Sequence, residues 1–325
     1  MPSTHFGKAE EYGSKAKVEG FDPFAITPRA PAAAPSRIRD KWALIIGVSS
    51  FAKSDDFLEF SVADAKELAD TLVQAGNFKK SNIRLLVDRE ATTSNIREAF
   101  GEIREKAQQD DLVLVYISSH GHPRDLDPTG LSYVLTYDTD TRDSAKVFAT
   151  ALQMVELAEL GRWVRAQGYV LLLDTCFSGA ARPGVAGKIV PAGTDGFDPL
   201  QGLQGSGNRV VISASQATER SYEDPENRHG YFTRFLLEAL RQSGQPQPLS
   251  SIFEYVRTRV SAAVERQDGR QQRPVMQQFG QGKDIVLNTP VTTAAIGLGG
   301  GRWPSAAAQW LGVSGAILTG LHGPQ

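Results

Sequence analysis

The sequence predicts an α/β protein built on a mostly parallel sheet covered on both faces by helices. From about residue 40, short and nearly continuous apolar runs alternate with segments of helical periodicity. Strands that are apolar on both sides belong to parallel sheets with helices on each face. The 325 residues, 41% hydrophobic and 22% charged, also have the make-up of an ordinary globular protein able to bury a full core.

The elements follow in order. Residues 1–39 are rich in Ala, Pro and Gly, and Pro28, Pro31 and Pro35 read as an extended linker, so the folded domain is expected over 40–289. A strand at 42–48 leads to a helix at 62–75, where Val62, Ala65, Leu68, Ala69, Leu72 and Val73 share one face. A strand at 83–87, a helix at 94–108 and a strand at 112–117 come next, followed by a helix at 151–165 and strands at 169–173 and 210–213. Helices at 231–241 and 250–265 precede a last short apolar run at 284–287. The stretch 179–208 has many glycines, three prolines and little periodicity, and reads as a long surface loop of the kind that is usually functional or mobile. A Gly/Ala-rich tail fills 290–325; its run 306–321, interrupted by Gln309 and glycines, is too short for a membrane span of about 20 residues.

Composition narrows the partners. A net charge of −2 with scattered Lys and Arg gives no field to gather nucleic acid or an anionic membrane. One cysteine forms no internal disulfide, and the N-terminus, with His5, Lys8, Glu10 and Glu11, lacks the apolar segment of a secretory signal. A cytoplasmic location is expected.

That cysteine, Cys176, sits in Asp174-Thr175-Cys176-Phe177-Ser178-Gly179, directly after the apolar run 169–173. The run 112–117 empties into Ser118-Ser119-His120-Gly121-His122. If the two runs are neighbouring parallel strands, a thiol and an imidazole meet outside their carboxyl ends, where open parallel sheets bind ligands. A cysteine nucleophile needs this pair, because the thiolate attacks and the histidine moves the proton. A lone cysteine would read as a buried small hydrophobe. Asp174, two residues before Cys176, either serves the site or bonds its own turn. Ser61-x-x-Asp64 fits a helix capping box as well as a role in the site.

Metal and nucleotide chemistry find little support. His120-x-His122 followed by Asp125 has no further histidine nearby, and Asp138, Asp140 and Asp143 lack the spacing of a calcium loop. Ile46-Gly47-Val48 lacks the glycine spacing of a dinucleotide loop, and no Walker sequence occurs.

Over residues 40–289 the chain resembles the caspase-like cysteine peptidases, and within them the metacaspases and their prokaryotic relatives. The resemblance rests on Lys41-Trp42-Ala43-Leu44-Ile45-Ile46-Gly47-Val48, on Ser61-Val62-Ala63-Asp64-Ala65, on the His120 and Cys176 blocks, and on His229-Gly230-Tyr231-Phe232-Thr233 before a late helix. It implies a caspase-like three-layer α/β/α sandwich and a cysteine endopeptidase without a cofactor. Cys176 would be the nucleophile, His120 its acid–base partner, and the N–H groups of Gly121 and Cys176 the oxyanion hole. Ser61, Asp64, Ser118 and Asp174 would line a pocket for a basic side chain, so the expected partners are proteins or peptides cut after Arg, then Lys. Many metacaspases carry cysteine where this chain has Ser61, and their calcium-binding acidic cluster is not matched. Self-cleavage would fall in the 179–208 loop, at Arg182 or Lys188 or at Arg209 on its far edge. The rival reading is a caspase-fold scaffold that binds partners without cutting, against which the presence of both dyad residues weighs.

Overall fold

A computed structural model of the protein describes residues 38–122, 126–128, 130–175, 207–216, 219–242, 246–280 and 284–287. Asp125, Cys176, Arg182, Lys188 and both termini lie outside the described residues.

Six strands form the central sheet: β1 Lys41–Gly47, β2 Ile83–Val87, β3 Leu112–Ser118, β4 Gly168–Asp174, β5 Asn208–Ser213 and β6 Val275–Phe279. Their order is β6-β5-β4-β3-β1-β2, parallel throughout except for the antiparallel edge pair β5/β6. The period-2 alternation of a strand splits each apolar run between two cores. Leu44, Ile46, Val113, Val115 and Ile117 face α2 (Thr93–Lys106), α3 (Ser144–Thr150) and α4 (Met154–Trp163). Ala43, Ile45, Leu112, Leu114 and Tyr116 face α1 (Ser61–Gln74), α5 (Tyr231–Gln242) and α6 (Leu249–Asp268). The result is the expected α/β/α sandwich. Among the described residues no helix is long and apolar enough to cross a membrane.

Several elements differ from the sequence expectation. The run 284–287 is no sheet strand: Val286 makes an isolated bridge to Pro248, and the Ile285 carbonyl accepts from Leu249 N–H at 2.7 Å. The edge among the described residues belongs to β6, which pairs there with β5 alone and has the half-exposed sequence Val-Met-Gln-Gln-Phe. The helix expected at 151–165 starts at Met154, because Leu152 pairs with Val134 in a small three-stranded sheet. In α1, Val73 is 36% exposed and the buried stripe takes in Ser61, Asp64 and Thr71.

Two buried cations sit at the amino ends of the strands. Arg209, expected at a loop edge as a site of self-cleavage, lies inside β5 and is fully buried, which corrects that expectation. Its guanidinium donates to the Val164 and Ala166 carbonyls at 2.9 Å and so closes the end of α4, where a cation also meets the negative end of the helix dipole. Cleavage there would require pulling β5 from the sheet. Lys41, also fully buried, donates its ammonium to the Gly76 carbonyl at 2.8 Å and the Leu287 carbonyl at 2.6 Å, and burial lowers its pKa to about 8.

Candidate active site

The site forms where β1, β3 and β4 end. Ser118 and Asp174 are register partners on β3 and β4, so the chains leaving those strands toward His120 and Cys176 start side by side. Gly47 at the end of β1 admits α1: a Cβ there would lie 2.5 Å from the Ser61 carbonyl oxygen and 2.7 Å from the Ala65 Cβ. The close approach brings Ser61 and Asp64 over the strand ends, and Ser118 Oγ donates to Ser61 Oγ at 2.9 Å. A cavity of about 240 Å³ is lined by Ser61, Asp64, Ser118, His120, Asp174 and Thr175, and by a facing wall from Arg220 to Glu223. Thr175 is the residue covalently preceding Cys176.

His120 is held on both sides. Its ring stacks on Phe51 with centroids 5.4 Å apart, its carbonyl accepts from Leu135 N–H at 2.9 Å, and the Phe57 backbone hydrogen-bonds the imidazole. Burial lowers the His120 pKa, opposed by Asp56 and the Phe57 bond, so the ring is neutral near pH 7 and able to take a proton. Gly121, expected to supply an oxyanion donor, is buried in a short strand pairing with Val134.

The two carboxylates on the floor differ. Asp64 does not cap α1; the Val62 N–H is taken by Ser49 Oγ at 3.2 Å instead. Asp64 reaches across to His229 Nδ1 at 2.5 Å and accepts from Gly230 N–H at 2.9 Å. His229 Nε2 faces Glu67 at 3.2 Å. Both ring nitrogens thus address carboxylates and both must donate, which assigns the shared proton to the imidazole and raises the His229 pKa. Burial pushes Asp64 upward, against the bonds from His229 and Gly230. Asp174 accepts from Ser221 Oγ at 2.6 Å and Thr233 Oγ1 at 2.7 Å, and the Thr233 hydroxyl meets Tyr116 Oη at 2.6 Å. Burial, then the charge of Asp64, pushes the Asp174 pKa up to about 6.

Gly230 separates these carboxylates. A Cβ on it would sit 2.9 Å from Asp174 Oδ2 and 3.2 Å from Asp64 Oδ2. Gly230→Ala is therefore expected to push the pair apart, lowering stability by about 1–3 kcal/mol and raising KM for a basic peptide; thermal melts and steady-state kinetics check both. An unchanged melt and KM would mean that the carboxylates yield freely.

The facing wall was not visible in the sequence. Glu223 accepts from the N–H groups of Glu59 and Phe60 at 3.1 and 2.8 Å, tying the wall to the start of α1. Gln272, fully buried, donates to the Ala214 carbonyl at 3.0 Å and Ser221 Oγ at 3.2 Å and accepts from Tyr222 N–H at 2.9 Å. In the His229-to-Thr233 segment, Tyr231 and Phe232 pack in the core, while His229, Gly230 and Thr233 organise the carboxylates.

Asp138, Asp140, Asp143 and His122 each have a partner within the protein. Asp138 accepts from Thr93 N–H and Thr136 Oγ1, Asp140 pairs with Arg142, and Asp143 caps α3 by accepting from Lys146 N–H at 2.9 Å. His122 packs edge-on against Tyr133. Among the described residues no three metal-ligating side chains cluster.

Comparison with known proteins places this architecture. The caspase domain model matches residues 40–285, and the chain belongs to the caspase-domain family. Among solved structures, caspase-1 of Spodoptera frugiperda superposes with a TM-score of 0.55 at 12% identity, covering 82% of this chain and 98% of that one. A Geobacter sulfurreducens protein superposes with a TM-score of 0.55 at 17% identity, covering 77% and 97%. No curated protein matches by sequence.

Proposed function

We propose that the protein is a cysteine endopeptidase that cuts proteins or peptides after basic residues, arginine before lysine. One observation carries the reading: His120, the buried carboxylates Asp64 and Asp174, and the residue joined to Cys176 all line one cleft at the carboxyl ends of the strands. The Cys176 thiolate attacks the carbonyl carbon, and Gly121 and Cys176 N–H groups receive the oxygen as it gains charge. His120 protonates the leaving amine, and water then releases the acyl group from the sulfur. Ser61 and Ser118 shape the pocket. Asp174 accepts the Ser221 and Thr233 hydroxyls and the Thr233 N–H, three of a carboxylate's roughly four acceptor sites, and can still pair with a guanidinium, while a substrate aspartate would meet like charge.

Fluorogenic peptides differing only in Arg, Lys or Asp before the cut test the proposal, with Cys176→Ala as control. Turnover in the order Arg, Lys, Asp is expected. Equal turnover of all three, or turnover that survives Cys176→Ala, would overturn it.

Self-processing, if the activity acts on its own chain, falls at Arg182 or Lys188, outside the described residues. Mass spectrometry of wild type beside Cys176→Ala is expected to show fragments only in the former.

A further inference from the structure

We infer that the cleft holds a second charged subsite, built on Arg220, which receives a carboxylate side chain adjacent to the basic residue of the substrate. The inference rests on the proposed peptidase reading and names more of its substrate. Arg220 stands half-buried on the wall of the cavity whose floor carries Asp64 and Asp174.

Its neighbours are all committed. Glu219 is held by Arg273, through both its N–H and its guanidinium. Ser221 donates to Asp174, and Glu223 takes the Glu59 and Phe60 N–H groups. Asp224 takes Arg234 and Asn227. Arg220 alone on this wall makes no hydrogen bond or ion pair among the described residues. Arg270 lines the same cavity, its guanidinium 5.1 Å above the Tyr222 ring, and adds potential of the same sign.

A guanidinium that lines a cleft with no carboxylate beside it among the described residues keeps its planar fork free, and that fork fits a carboxylate through two hydrogen bonds. The floor carries two carboxylates, and the wall carries the Arg220 and Arg270 guanidiniums beside one carboxylate, Glu223, whose oxygens are taken by the Glu59 and Phe60 N–H groups. Such a cleft favours a peptide in which a basic and an acidic residue lie close together, and it disfavours a run of basic residues, which would set like charge against Arg220.

The test uses the full chain and peptides carrying Arg before the cut, with Glu, Gln or Lys placed in turn at each neighbouring position on both sides. At one position the wild type is expected to cut the Glu peptide about tenfold better than the Gln peptide, the size of a charge-assisted hydrogen bond. Arg220→Gln should reduce that ratio below about twofold, Arg220→Glu should invert it toward Lys, and added salt should shrink it. If no position responds to Arg220, or if Arg220→Gln speeds every peptide alike because the guanidinium obstructs the floor, the subsite is disproved. Should the wild type cut none of the peptides, the peptidase reading fails by itself. Anisotropy of labelled Glu and Gln peptides on Cys176→Ala, with and without Arg220→Gln, then decides the subsite: a Glu preference lost with Arg220 supports it, and equal affinities overturn it.

Discussion

Replacing His120 with alanine is expected to slow cleavage after arginine by about 10²–10⁴-fold, the range that positioned acid–base catalysis supplies. Cys176→Ala should remove activity altogether. The fold should tolerate the histidine change, because the part-buried ring lies at the wall of the cleft and its loss deprives Phe51 of one stacking partner, worth about 1 kcal/mol. Burial lowers the His120 pKa, so the base survives to a pH below the ordinary imidazole value, and the acid limb contributed by this residue lies on that side. A loss under tenfold, or a collapse of the melting transition that accounts for the lost activity, would remove His120 from the chemistry.

Asp174→Asn is expected to lower kcat/KM for arginine peptides by two to three orders of magnitude, roughly the 2–5 kcal/mol at stake when one partner of a buried charge pair is removed. Its effect on stability has the opposite sign. The Asp174 pKa rises in the folded protein to about 6, so the stability this carboxyl contributes is complete below its ordinary value of 3.8 and is lost as pH rises through 6. Ionising it in the folded protein costs about 3 kcal/mol at neutral pH and above. Asparagine avoids that charge; its amide oxygen can accept from Thr233, whose N–H is a fixed donor, while the Ser221 hydroxyl turns to accept the amide N–H. The variant should melt at or above the wild type at pH 8 while cutting poorly. The wild type should also lose arginine cleavage as pH falls through about 6, an effect absent for a peptide with a neutral residue before the cut. A variant that melts well below the wild type at pH 8 would mean that Asp174 serves the fold.

The strands that make the site were legible because β1, β3 and β4 are buried on both faces, which leaves a continuous apolar run in the chain. The edge strand β6 was not, since an edge strand with one half-exposed face needs no such run and has two glutamines in its centre. Local residue types also could not reveal partners. Ser61-x-x-Asp64 has the letters of a capping box, yet the Asp64 carboxylate is bound by His229 and Gly230, more than 160 residues away, and the helix start is capped by Ser49. His120, Asp174, Asp64, Ser118 and Ser61 were found from motifs and do share one cleft. Arg220 and Glu223 lie in a stretch whose periodicity carries no signal, and Gln272, which holds Tyr222 from behind that wall, stands 50 residues further along the chain than Tyr222, so only the assembled fold brings them together.

The Lys41 ammonium also bears on when the protein finishes folding as it is made. One of the carbonyls it meets among the described residues belongs to Leu287, 246 residues further along. At about 5–20 residues per second, roughly ten to fifty seconds separate synthesis of the lysine from that of its acceptor. Until then the first strand of the sheet carries a cation that cannot be sealed into the interior with the Gly76 and Leu287 carbonyls both in place. The nascent chain should therefore hold the amino ends of its strands open to water, and resist protease as a complete domain only after residue 287 has left the ribosome.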